Sequence, residues 1–154
     1  MENIYFYDTE IGRIAITDNG SEITNLYFIK ETMPNGFEIN ETALIKEAHS
    51  QLEEYFSGKR KAFKLPLLPI GTDFQQSVWK ALQDIPFGET RSYGEIAKAV
   101  GNPKASRAVG MANNRNPIPI FIPCHRVIGA NGKLVGYGGG LDIKEHLLKL
   151  ENSK

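Results

Sequence analysis

Apolar and polar positions follow a sheet-like period at the start of the chain, the signature of strands with one buried face. Residues 4–7, 12–17 and 23–28 carry it, rich in isoleucine, tyrosine, phenylalanine and threonine. Asp18-Asn19-Gly20 supplies turn chemistry between the second and third runs. The period then changes. From Ala43 to Phe56 the side chains Leu44, Ala48, Leu52, Tyr55 and Phe56 fall on one helical face, with Thr42 as N-cap and Gly58 as stop. Residues 59–71, with Pro66 and Pro69, read as a linker or extended connection.

The rest of the chain is patterned for helices. Residues 72–76 have capping-box spacing, and Phe74, Val78 and Leu82 form an apolar stripe that Pro86 and Gly88 end. Ser92 with Glu95 makes a second capping box, opening a short helix that Gly101 closes. Asn102-Pro103 then predicts a new helix at once, Asn as cap and Pro in the first helical position, continuing over residues 104–112. Two short helices joined so tightly are a helix-turn-helix candidate. Small residues surround Arg107 on the second helix, which suits either close approach to another molecule or tight helix packing. Residues 118–122 form an apolar run interrupted by Pro119, an edge or irregular buried segment. Residues 129–132 are a turn, and residues 136–140 a glycine-rich loop whose backbone can lie against a ligand. Asp142 and Glu145 open a last helix with Ile143, Leu147 and Leu150 as its apolar face. No internal repeat or low-complexity tract interrupts this order.

Composition narrows the classes. The 154 residues are 41% hydrophobic and 23% charged, values of a globular protein with an ordinary core. No apolar run is long enough to span a membrane, and the start lacks the basic and apolar regions of a secretory signal, so a cytoplasmic protein is expected. The single cysteine excludes an internal disulfide and a cysteine-rich zinc site. His49, His125 and His146 lack metal-ligand spacing, so no metal is expected. Charge is balanced overall but not along the chain. Residues 1–71 hold 7 basic and 11 acidic side chains, and residues 72–154 hold 11 basic and 7 acidic. Between Glu95 and Asp142 there is no acid, while Lys98, Lys104, Arg107, Arg115, Arg126 and Lys133 all fall there. Such a segment is either a solvated face or a surface for phosphates.

Cys124 is the chemical candidate. A thiol attacks as thiolate, so it needs a base in reach and positive surroundings; His125 and Arg126 follow it directly. A lone cysteine is equally at home as a small buried hydrophobe, and the residues by themselves leave both readings open.

Pro123-Cys124-His125-Arg126-Val127, preceded by Asn116-Pro117-Ile118-Pro119, resembles the acceptor-site signature of the O6-alkylguanine-DNA alkyltransferases, the methylated-DNA–protein-cysteine methyltransferases. Residues 74–79, 86–93, 101–110, 138–141 and 144–148 continue the resemblance, which covers residues 72–151 well and residues 1–71 in outline. It implies an α+β protein: a small amino-terminal antiparallel sheet with a helix over residues 1–71, linker included, then a mostly helical, winged-helix-like DNA-binding domain over residues 72–154 containing the helix-turn-helix. It implies direct-reversal repair of DNA, in which Cys124 takes the alkyl group from the O6 of guanine, with O4-alkylthymine a further candidate substrate. His125 is then the base through a bridging water, Glu151 orients it, and Asn116 is a hinge between recognition helix and cysteine. Tyr93, Val127, Tyr137, Gly138 and Met111 are implied as the base pocket. Arg107, Tyr93, Ala105, Ser106, Ala108 and Arg115 are implied as the DNA-binding set, with Arg107 filling the space of a flipped nucleotide. Some relatives carry a hydroxyl side chain where this chain has Gly138. No cofactor is implied. The expected partner is double-stranded DNA carrying alkylated guanine, met by a monomer with no protein or membrane partner. With no second thiol to reverse a thioether, the transfer is expected once per molecule. A lesion-binding protein without transfer, a Cys–His thiol hydrolase and a DNA-binding regulator with an inert cysteine are the alternatives.

Overall fold

In the computed structural model, which describes residues 1–30 and 32–152, the alternating runs pair into a sheet. The chain divides into two compact units, Met1–Ile70 and Gly71–Lys154. In the first, strands β1 (Glu2–Thr9), β2 (Gly12–Asp18) and β3 (Ile23–Phe28) are antiparallel neighbours. The Asn19 side chain accepts from the N–H groups of Ser21 and Glu22, which closes the β2–β3 turn. A short fourth strand, β4 (Phe37–Ile39), joins β1 in parallel, so the sheet order is β3-β2-β1-β4. Three residues are too few to show alternation, and this edge strand was not legible beforehand.

Helix α1 (Ala43–Phe56) starts at the expected cap, the Thr42 side chain accepting from Ile45 N–H at 3.1 Å. Its buried face runs through Ile45, Ala48, Leu52, Tyr55 and Phe56; Leu44, expected there, is half-buried. Ile4, Ile14, Ile16, Ile23 and Leu26 from the strands are buried too and complete this core. The connection after α1 is tied to its own unit. Ile23 N–H donates to Pro66 O at 2.8 Å, Leu68 N–H donates to Ile23 O at 2.8 Å, and Gln51 bonds both backbone groups of Lys64.

The second unit holds α2 (Asp73–Gln83), β5 (Arg91–Ser92), α3 (Tyr93–Ala99), α4 (Ser106–Asn114), a single 3₁₀ turn over Cys124–Arg126, β6 (Val127–Ile128) and α5 (Leu141–Asn152). Both predicted capping boxes form, Thr72 with Gln75 and Ser92 with Glu95. Helix α4 begins at Ser106, three residues after the predicted start. The Asn102 N–H closes the end of α3 on Ala97 O at 2.9 Å, and the N-cap position of α4 falls to Ala105, which offers no side-chain cap. Asn102-Pro103 instead makes the turn between the helices, closed by Ala105 N–H to Asn102 O at 3.0 Å. Trp79 of α2, 1% exposed, donates from Nε1 to Ala112 O at 2.9 Å and anchors α4. Strands β5 and β6 pair in parallel, Arg91 opposite Val127. On α5 the buried positions are Leu147, as expected, with Lys144 and Glu151; Ile143 and Leu150, the rest of the predicted stripe, are half-buried. Among the described residues no helix is long and apolar enough to cross a membrane.

Candidate active site

The segment that delivers Cys124 is held by one side chain. Asn116 Oδ1 accepts from Ile118 N–H at 3.0 Å, and its Nδ2 donates to Ile122 O at 2.8 Å. Ile122 N–H closes the loop on Ile118 O at 2.9 Å, and Cys124 N–H bonds Ile122 O at 2.8 Å. Pro117, Pro119 and Pro123 restrict φ through this arch. Ile120, buried at its crest, has φ +74°, a costly conformation for a β-branched residue that the surrounding bonds enforce. The predicted irregular buried segment is this clamped arch.

Cys124 is 4% exposed. Burial pushes its thiol up to about 11, against the downward pull of the Asn116 hydrogen bond and the Lys144 charge. The resting sulfur is therefore a neutral thiol that ionises only when its proton is taken. His125, fully buried, places Nε2 2.6 Å from Glu151 Oε2. A carboxylate accepts only, so Nε2 carries the proton and Nδ1 is a lone pair. That Nδ1 is buried and has no hydrogen-bond partner. Burial holds the imidazole below its ordinary basicity, Glu151 opposing the shift and the charges of Arg126 and Lys144 adding to it.

Glu151, 1% exposed, is satisfied from several sides. Besides His125 it accepts Arg126 Nε at 2.9 Å, Arg126 Nη2 at 3.0 Å and Gly88 N–H at 3.2 Å. Arg126 Nη1 continues to Ile85 O at 2.7 Å. Chain position alone makes Glu151 a solvated helix end; only the family resemblance marks it as functional.

Two residues were missed. Lys144 is fully buried, and its ammonium donates to Val127 O at 2.6 Å, Val135 O at 2.8 Å and Gly136 O at 3.4 Å. It ties β6 to the loop before α5, and burial lowers its basicity while Cys124 raises it. Its signal was spacing: Lys144, Leu147 and Glu151 share one helical face. Asn113 is the other. It is 1% exposed, and its Nδ2 donates to Cys124 O at 3.3 Å from within α4.

A cavity of about 440 Å³ opens beside α4, lined by Tyr93, Ser106, Arg107, Gly110, Met111, Asn114, Val135 and Gly136. It gathers residues implied separately for base pocket and DNA surface. Tyr93 donates to Val135 O at 3.1 Å, and burial followed by the nearby Cys124 raises its hydroxyl above the ordinary range. A Cβ at Gly110 would lie 3.8 Å from the Tyr93 ring, an ordinary van der Waals contact, so space beside that ring does not by itself demand glycine. Arg107 and Ala108 are exposed on α4, Ala105 is half-buried just before it, and Arg115 is exposed just after it. Val127, Tyr137 and Gly138 are not among the cavity's lining residues. Val127 is buried, its N–H bonded to Cys124 O and its carbonyl to Lys144; Tyr137 is half-buried and Gly138 exposed.

A buried lone cysteine, followed in the chain by a histidine paired with a buried carboxylate, lies in the same unit as the two adjoining helices α3 and α4, the arrangement of a cysteine protein with a helix-turn-helix. The family model described as 6-O-methylguanine DNA methyltransferase, DNA binding domain, matches residues 73–153. The ribonuclease-like domain of the same family matches residues 4–69. The chain is 56% identical over 151 residues to the methylated-DNA–protein-cysteine methyltransferase of Methanosarcina acetivorans, covering 96% of each. It is 52% identical over 152 residues to the constitutive enzyme of Bacillus subtilis, covering 94% of this chain and 92% of the relative. A Mycobacterium tuberculosis protein crystallised in complex with DNA superposes with a TM-score of 0.92 at 50% identity, over 98% of this chain and 93% of that one. This chain belongs to the methylated-DNA–protein-cysteine methyltransferase family.

Proposed function

We propose that this protein repairs alkylated guanine in duplex DNA by moving the alkyl group from O6 to the sulfur of Cys124. The observation that carries the reading is His125: its Nε2 is committed to Glu151, and its Nδ1 is a buried, unpartnered acceptor on the residue that follows the chain's one thiol. A thiol held near 11 by burial needs such a base. Through one water, Nδ1 takes the proton, and the imidazolium formed is stabilised by Glu151. The thiolate displaces the alkyl carbon from O6, forming a C–S bond as the C–O bond breaks, and the guanine collects a proton. No redox partner or cofactor enters this balance.

The target atom is shielded in a stacked duplex, so the nucleotide turns out of the helix, at a cost of a few kcal/mol. Helix α4 enters the minor groove, with Arg107 filling the gap, Ala105, Ser106 and Ala108 permitting close approach, and Arg115 adding charge near the backbone. Tyr93 presses on the adjacent phosphate, and Met111, Val127, Tyr137 and Gly138 complete the base pocket. The thioether is final, since the chain has one cysteine and no thiol to exchange with it. The protein acts as a monomer in the cytoplasm, residues 1–71 serving as a separate packing domain.

The test is intact mass after incubation with an oligonucleotide duplex containing O6-methylguanine. One methyl group per protein, located on Cys124, is expected. Tight binding with no mass gain would convert the reading to a lesion sensor, and absence of binding would remove DNA as the partner.

A further inference from the structure

Two buried acceptors attached to Cys124 have no partner. One is His125 Nδ1 and the other is Asn113 Oδ1. Asn113 is bound to Cys124 through its amide, and His125 through the chain. The orientation of the Asn113 amide is settled by its neighbour: Nδ2 donates to the Cys124 carbonyl, and a flipped amide would oppose two oxygens there. Oδ1 is therefore the group left over. An unpaired buried acceptor is costly to leave without a donor, so the pair calls for a donor with two protons. The thiol has one. Water has two.

We propose that Asn113 is a positioning residue of the proton relay, its Oδ1 and His125 Nδ1 receiving the two protons of one water that accepts the Cys124 thiol proton. The inference rests on the function proposed above. In the step, the S–H bond breaks and its proton joins the water oxygen, while one water O–H breaks toward Nδ1. Thiolate, water and imidazolium result, and the atom count is unchanged. Asn113 pins the water's second proton, which directs a lone pair at the thiol. The donor half of Asn113 has a substitute, because Val127 N–H also bonds the Cys124 carbonyl, and α4 is anchored independently by Trp79. The acceptor half has none. Around the relay stand Lys144 and Glu151 from α5, Tyr93 from α3, and Arg126 beside His125, each already paired by the bonds described above.

The measurement is the rate of methyl transfer from an O6-methylguanine duplex against pH, in Asn113→Leu and Asn113→Ala. With Leu, transfer at neutral pH falls about tenfold, equivalent to raising the thiol's titration by about one unit, and the loss shrinks as pH rises. With Ala, whose space admits a second water, part of the rate returns. DNA affinity stays within about twofold, and Asn113→Leu adds little loss once His125 is replaced by Ala, because both act through one water. An equal loss at every pH, a parallel loss of DNA affinity, or full additivity with His125→Ala would overturn the proposal. If the unaltered protein gains no methyl group, the failure belongs to the proposed function instead.

Discussion

Arg126 grips Glu151 at two points, Nε to Oε1 at 2.9 Å and Nη2 to Oε2 at 3.0 Å, in the planar fork that guanidinium and carboxylate share. The same Oε2 faces His125 Nε2 at 2.6 Å. Arg126 therefore holds the carboxylate still where it orients the base, and α5 is tied to the turn that carries Cys124.

Glu151→Gln keeps the shape and removes the charge. It leaves a buried guanidinium without its counter-ion, so a stability loss of about 3 kcal/mol is expected in urea unfolding. Methyl transfer falls about 100-fold, since the imidazolium loses its stabiliser. A variant with normal transfer and only the stability loss would make Glu151 purely structural.

Lys144→Met fills the same space but abandons the carbonyls of Val127, Val135 and Gly136. Val127 O is then a buried acceptor without its ammonium, at a cost of about 1–3 kcal/mol, while Val135 O keeps the Tyr93 hydroxyl and Gly136 lies exposed. The positive charge that pulls the Cys124 thiol down is lost as well, so its titration moves further up. Iodoacetamide labelling of Cys124 against pH reads this directly: the curve shifts to higher pH, and an unshifted curve would confine Lys144 to holding the loop.

His125 is less basic in the folded protein than its ordinary value of 6.5, mainly through burial. Below that pH the unfolded chain binds a proton that the folded chain refuses. Stability is therefore complete above about pH 6.5 and declines as pH falls, by at most about 1.4 kcal/mol per pH unit from this group. Urea midpoints at pH 7.5 and 5.5 should separate in this sense, and His125→Asn should narrow the gap. A midpoint that rises on acidification would contradict the neutral, buried imidazole.

Gly136 and Gly138 share a loop and differ in tolerance. Gly136 has φ +53°, and a Cβ there would meet Asn114 Oδ1 at 2.9 Å, so Gly136→Ala loses about 1–2 kcal/mol and slows transfer. A Cβ at Gly138 meets nothing within 4 Å. Gly138→Ser should change stability by less than about 0.5 kcal/mol, its effect being on which alkyl adducts are accepted. Competition between O6-methylguanine and O6-benzylguanine duplexes checks this; an unchanged preference would separate Gly138 from the pocket.

Local patterns carry local consequences, and there the chain was readable. The alternation of residues 12–17 and 23–28, the cap at Thr42 and the boxes at Thr72 and Ser92 depend on neighbours a few positions away, and each formed where expected. The Asn102-Pro103 signal misled because both residues lie in the turn that closes α3, with Asn102 N–H on Ala97 O and Ala105 N–H on Asn102 O, and local propensity does not register where that turn ends. β4 depends on a partner strand more than thirty residues distant.

One thiol, the histidine and arginine that follow it, and a helix-turn-helix candidate in the basic half of the chain are legible in residue order alone. Tertiary structure decided what those groups do. It brought Glu151 onto His125 across 26 positions, buried Lys144 on the face it shares with Leu147 and Glu151, and left Asn113, bound to the Cys124 carbonyl, and His125, next in the chain, each with an unused acceptor. The physical reason is desolvation. Withdrawn from water, a charge or a lone pair must find a specific partner, and only the packed chain says which partners are within reach.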